Sequence, residues 1–158
     1  MERCYQNPIK YPAYYGKCEV CEEWQNYQNF AKWYEENEYT CEGRLHIDKD
    51  ILHPNCNLYS PDNCLLVPQR INMLFLNKPN KRGLPNGISK TPNGYSANYN
   101  KQILGTYQTL QEAYAKYADA KETTIKMVAE EYKEIIPNRV YLALCNYKVN
   151  IENDKNFK

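Results

Sequence analysis

The chain alternates between aromatic-rich stretches at helical spacing and short apolar runs bounded by Asn, Gly and Pro. In residues 22–38, Trp24, Tyr27, Ala31 and Tyr34 recur at i, i+3, i+7 and i+10. That spacing predicts one helix with an aromatic inner face, widened by Phe30 and Trp33. Glu22 and Glu23 suit its first turn, where the helix dipole favours carboxylates. The face is expected to pack into a core rather than to stack on bases. Residues 44–50 read as a strand entering a loop, and Pro54, Pro61 and several Asn make turns of residues 51–63. Residues 64–67, Cys-Leu-Leu-Val, read as a short buried strand. Pro68 suits the first turn of a following helix, with Ile71, Leu74 and Phe75 on its apolar face.

The pattern changes at residues 77–87, NKPNKRGLPNG, which read as a linker or an extended basic loop. Beyond it, Asn93-Gly94 signals a hairpin turn. Ile88, Tyr95, Ala97, Tyr99, Ile103 and Leu104 predict three short antiparallel strands, with a second turn near Asn100-Lys101. Thr109 and Glu112 have capping-box spacing and open a long helix running to about Glu134. Leu110, Tyr114, Tyr117, Lys121, Ile125 and Val128 trace its inner face, and Pro137 stops it. Residues 138–147 read as a further short helix, residues 1–17 as an irregular arm, and the tail from Asn153 as frayed.

Composition adds constraints. The 158 residues suit one medium domain or two small ones. Sixteen tyrosines supply much of the apolar content, so the core is expected to use ring faces with hydroxyls reaching the surface. No apolar run approaches the ~18 residues of a membrane span. The segment MERCYQNPIKYPAYYG has no apolar signal-peptide core. These features lead to the expectation of a cytoplasmic protein without a membrane partner. Seven cysteines in a reducing compartment are expected to be thiols or metal ligands rather than disulfides.

Charge is segregated along a nearly neutral chain of net charge +1. From Asn63 to Gln111 there is no Asp or Glu, while Arg70, Lys78, Lys81, Arg82, Lys90 and Lys101 all fall within the span. A cation-only middle flanked by acidic ends fits either a solvated surface or a face that meets phosphate.

The segment LHIDKDILHPNCNLYSPDNCLLVPQRIN, Leu45 to Asn72, places His, Asp and Asn at the bends of a strand–loop–strand–helix pattern. It resembles the HNH endonuclease superfamily, in particular small phage-borne proteins with a DKDIL, YSPxxC, VPxxIN signature. The signature is carried by Asp48 to Leu52, Tyr59-Ser60-Pro61 with Cys64, Val67-Pro68 and Ile71-Asn72. The second half is similar to the three-strand-plus-helix DNA-binding module of plant ethylene-response factors. Gly87-Ile88-Ser89, Tyr95-Ser96-Ala97, Leu104-Gly105-Thr106-Tyr107 and Glu112-Ala113-Tyr114 carry that likeness. The two resemblances imply an α+β chain. Residues 1–78 would form an HNH-like ββα finger with an N-terminal helix. Residues 79–158 would form a small three-stranded antiparallel sheet packed on a long helix.

HNH chemistry needs a histidine base, a divalent ion such as Mg2+ or Mn2+, and hard ligands to hold it. The resemblance makes His46, Asp48, Asn63 and Asn72 the candidate catalytic residues, with Asp48 and Asn72 as metal ligands. Two registers are open. If His46 is the base, Leu45 stands where the neighbouring ligand Asp belongs. If Asp48 is the ligand, Lys49 stands where the base belongs, and an ordinary lysine is protonated near neutral pH. Each register lacks one essential group, so the expectation is eroded nuclease activity. The alternative for Asp48 and Asp50 is a tight turn in which the carboxylates accept backbone N–H bonds. Cys18-x-x-Cys21 has the spacing of half a zinc site, but a second such pair is missing.

The leading reading is therefore a phage-type protein that binds duplex DNA in an infected or prophage-bearing bacterium. Arg70, Lys78, Lys81, Arg82, Lys90 and Lys101 would contact phosphates, and Tyr95 and Tyr99 would pack on sugar or bases. Two alternatives stay open. One is an active metal-dependent nicking or homing endonuclease. The other is a counter-defence protein that engages a host protein or its nucleotide signal through a tyrosine-rich surface.

Overall fold

The computed structural model describes residues 2–12 and 14–157. In chain order the elements are α1 (Glu2–Tyr5), β1 (Glu19–Val20), α2 (Glu22–Gln25), α3 (Tyr27–Asn37), β2 (Leu45–Asp48), β3 (Leu58–Tyr59) and β4 (Leu65–Pro68). They continue as α4 (Gln69–Leu74), β5 (Ile88–Thr91), β6 (Gly94–Tyr99), β7 (Gln102–Tyr107), α5 (Leu110–Glu131) and α6 (Asn138–Asn146), and end in a 3-10 turn at Ile151–Asn153. The fold is α+β. Two compact units divide it. The first runs to Met73 and takes in Ile135–Val140; the second comprises Leu74–Glu134 and the chain from Tyr141 onward. The division falls ahead of residues 77–87, where the composition changes. Ile135–Val140 joins the first unit from far along the chain, which no local composition could show. Among the described residues no helix is long and apolar enough to cross a membrane.

In the first unit, β2 and β4 form an antiparallel pair that aligns His46 with Val67 and Asp48 with Leu65. A long loop joins them, and α4 follows β4 without a break. Pro68 is the last residue of β4 rather than the first of α4. The expected helix over 22–38 is two helices, broken at Asn26. That residue adopts an extended conformation, and its side-chain oxygen accepts from the Gln28 N–H at 3.0 Å. Asn gains more from capping a new helix than from continuing an old one. The break leaves Tyr27 67% exposed, off the inner face that the spacing assigned to it. Trp24 and Trp33 are buried, with ring centroids 4.7 Å apart, and pack with Cys64 and Leu66. Leu45 and Ile47 join this core from β2, and the Tyr39 hydroxyl donates to the Leu66 carbonyl at 2.9 Å.

In the second unit, β5, β6 and β7 form an antiparallel sheet in sequence order. A bulge at Ala97/Asn98 interrupts the β6–β7 register. Helix α5 begins with the expected reciprocal capping box: Thr109 accepts from the Glu112 N–H, and Glu112 accepts from the Thr109 N–H. Its buried face, Ala113, Tyr114, Tyr117 and Ala118, covers Ile88 and Ala97 of the sheet. Val149 and Ile151 close the same core from the C-terminal segment. The tail is not frayed. Asp154 and Asn156 are 8% and 7% exposed, and both are hydrogen-bonded into the unit.

Candidate functional site

His46 and Asp48 lie two residues apart on β2, so they share one face, while Leu45 and Ile47 turn the other way into the tryptophan core. His46 is half-buried and Asp48 is buried. The Asp48 Oδ1 atom accepts backbone N–H bonds from Asp50 and Ile51, each at 2.9 Å. This is the tight-turn role the sequence allowed. Burial still dominates its titration. Loss of solvation raises the carboxyl to about 6, against the lowering effect of the Ile51 and Asp50 N–H bonds.

Lys49 is mostly buried, and its Nζ lies 2.7 Å from Asp50 Oδ1 and 5.8 Å from the centre of the Tyr59 ring. Sequence reasoning missed this cluster. Neighbouring Lys and Asp in a tight turn were the available signal, but the Tyr59 ring reaches them only through the folded loop.

The Asn63 amide donates to the Leu58 carbonyl at 3.2 Å and contacts Cys56 Sγ at 3.4 Å. It therefore fastens the loop between β2 and β4 to itself. Asn72 is half-buried on α4. Among the described residues no three His, Cys, Asp or Glu side chains converge to hold a metal ion. Asp48, with Asn72, stays the pair that the sequence nominates for a divalent ion.

The cysteines differ from expectation at one place. Cys4 and Cys18 are joined by a disulfide, with Cα atoms 5.4 Å apart, and both are buried. Cys18 is thus not available to form a zinc pair with Cys21. Cysteine chemistry gives no local sign of which thiols approach each other, so only the folded arm could decide this pairing. The arm is also tied by the Val20 N–H, which donates to the Tyr5 hydroxyl at 2.9 Å. Cys64 is fully buried, and burial pushes its thiol up to about 12.

The six cations of the acid-free span divide unevenly. Arg70 stands exposed on α4. The other five belong to the second unit, and all are exposed. Lys78, Lys81 and Arg82 sit in the loop that leads into β5. Gly87, the last residue of that loop, accepts from the Asn98 N–H at 2.7 Å near the end of β6. The β6–β7 turn at this same end of the sheet carries Lys101, with φ 65°. The loop that carries Lys78, Lys81 and Arg82 thus enters the sheet at the end where Lys101 turns, and Lys90 stands apart, opposite Tyr95.

Tyr95 and Tyr99 face the other way from the role first assigned to them. Both pack against the core beneath α5, and Tyr99 meets Tyr117 edge to face at 5.7 Å. Burial raises the Tyr99 hydroxyl above its ordinary range. Alternation places Ser89, Ser96, Asn98 and Thr106 on the opposite, open face. The Asn98 amide reaches Ser96 Oγ at 3.4 Å across that face. Ile103, paired with Asn98, is 76% exposed. Once α5 buries Ala97, the period-2 alternation of β6 turns its neighbours Ser96 and Asn98 outward.

Compared with known proteins, the chain matches no family model, no curated protein and no solved structure.

Proposed function

We propose that this is a phage-type protein that binds duplex DNA on a scaffold of the HNH type, with the nuclease chemistry eroded in this chain. The observation that carries this reading is the set of exposed cations Lys78, Lys81, Arg82 and Lys101, carried by the loop that enters β5 and by the β6–β7 turn, within the span Asn63–Gln111 that lacks Asp and Glu. Phosphate contacts of this kind position a protein on DNA, and groups on the adjoining face read bases. The open face supplies hydroxyls, one amide and one exposed aliphatic side chain. Ser and Thr can pair with several base edges, Asn with adenine, and an apolar side chain with the thymine methyl.

The order of β2, loop, β4 and α4 supports a ββα finger, and Asn63 holds the loop as the middle residue of such a finger would. Erosion is supported by the same turn. Asp48 spends one carboxylate oxygen on two backbone donors, and Lys49 is engaged by Asp50.

Fluorescence anisotropy with a labelled duplex tests the reading. Four phosphate contacts would give a log–log salt slope of about −3.6. Replacing Lys81 or Arg82 with Ala would make that slope shallower by about 0.9 each. No binding at about 50 mM salt, or binding indifferent to salt, ends the proposal.

A further inference from the structure

The C-terminal strap, residues 150–157, lies along the cation-bearing loop and is joined to it by side-chain hydrogen bonds. Asp154 Oδ2 accepts from the Asn86 backbone N–H at 2.9 Å and from the Asn86 amide at 3.0 Å. Its Oδ1 accepts from the Asn156 N–H and the Asn156 amide, each at 2.9 Å. Asn156 in turn accepts from the Asn80 N–H at 2.6 Å and donates to the Lys78 carbonyl at 3.1 Å. Asn77 donates to the Asn153 carbonyl at 2.7 Å, and its oxygen accepts from Asn86 and from the Lys155 N–H. Every one of these bonds belongs to the second unit. They fix the loop at Asn77, Lys78, Asn80 and Asn86, on both sides of Lys81 and Arg82.

A loop of residues 77–87 containing three cations and two prolines has no sheet or helix of its own to hold it. Left free, it would lose conformational entropy on meeting a phosphate backbone. Ordered in advance, it does not carry that penalty at the moment of binding. The strap does this from inside the unit, because Asp154 and Asn156 are both buried.

We propose that Asp154 and Asn156 are positioning residues that hold Lys78, Lys81 and Arg82 in their phosphate-binding arrangement, so that the C-terminal strap sets DNA affinity without touching DNA. This rests on the DNA-binding reading above. It adds that affinity and charge are separable: loosening the strap weakens binding while the number of neutralised phosphates stays the same.

Asp154→Ala and Asn156→Ala test it, with Glu152→Ala as the charge control. Glu152 is exposed, and its side chain forms none of the bonds that tie the strap to the loop. Two readouts are needed. The first is limited trypsinolysis at the Lys81–Arg82 and Arg82–Gly83 bonds, followed by mass spectrometry without DNA. The strap variants should be cut there at least about tenfold faster than wild type and Glu152→Ala, because cleavage follows local opening. The second is duplex affinity across a salt series. Both strap variants should bind about tenfold more weakly with an unchanged salt slope, and Glu152→Ala should bind like wild type.

Asn156→Ala leaves every charge in place, so it keeps the test informative if Asp154→Ala unfolds. Equal trypsin rates would show that the strap does not hold the loop, and the proposal falls. Faster cleavage with unchanged affinity would also overturn it, because the strap would then order the loop to no effect on DNA. So would a loss in Glu152→Ala equal to that in Asp154→Ala, which would make charge the cause. Absence of wild-type binding would remove the DNA reading itself, and with it this role, whereas wild-type binding matched by both variants would sink the strap proposal alone.

Discussion

The backbone N–H of Ile51 donates to the Asp48 carboxylate at 2.9 Å in a buried turn, and burial nonetheless raises that carboxyl to about 6. The ordinary value is 3.8. Between these limits the folded protein holds a proton that the unfolded chain has released. The contribution of Asp48 to stability is therefore present below pH 4 and is lost as pH rises through about 6. Asp48→Asn keeps an oxygen that can accept from both Asp50 and Ile51 but has no charge to desolvate. Urea denaturation should find this variant about 1–3 kcal/mol more stable than wild type at neutral pH, with the difference vanishing near pH 4. A variant less stable than wild type at neutral pH would mean that the carboxylate charge has a partner this account lacks.

The same turn bears on catalysis. On the proposed HNH-type reading, supercoiled plasmid incubated with Mg2+ or Mn2+ is expected to stay intact, because neither register of that reading keeps both base and ligand. Gel electrophoresis reads the result. Nicking that disappears in Asp48→Ala or His46→Ala would reverse the reading and assign the site.

On the sheet, the two faces should respond differently. Tyr99→Phe retains the ring contact with Tyr117 and should bind DNA as wild type does. Asn98→Ala alters the open face and should reduce discrimination between duplex sequences by about 1–3 kcal/mol, with the salt slope unchanged. Competition binding with permuted duplexes checks both. Equal loss in the two variants would put the contact surface somewhere other than the open face.

Gly87 has φ 78°, and a Cβ there would overlap the Tyr117 ring and lie 2.7 Å from the Asn98 carbonyl oxygen. Gly87→Ala should therefore destabilise the second unit by about 3 kcal/mol, from backbone strain and displacement of a core ring together. Thermal unfolding followed by circular dichroism measures it, and a melting temperature within a degree or two of wild type contradicts the crowding argument.

Much of the second unit was legible in local pattern. Asn93-Gly94, the alternation around Ala97, and Thr109 with Glu112 each specify structure within a few residues, and each element formed where that pattern put it. The first helix was harder to read. Its aromatic spacing ran across Asn26, and the spacing could not show that the Asn side chain would cap rather than continue. The candidate site was legible as residue types at positions, and the functions attached to them remain proposals. What the sequence withheld was which way side chains turned. Tyr95 and Tyr99 look like a stacking platform until α5 is laid over them.

The sequence by itself determined where the strands and the long helix of the second unit form, because those depend on neighbours a few residues away. Tertiary structure alone decided the Cys4–Cys18 pairing, the clasp of Asp154 on Asn86 and the burial that raises Asp48. These depend on groups brought together from distant positions, and on water being excluded around them. No local pattern encodes either one.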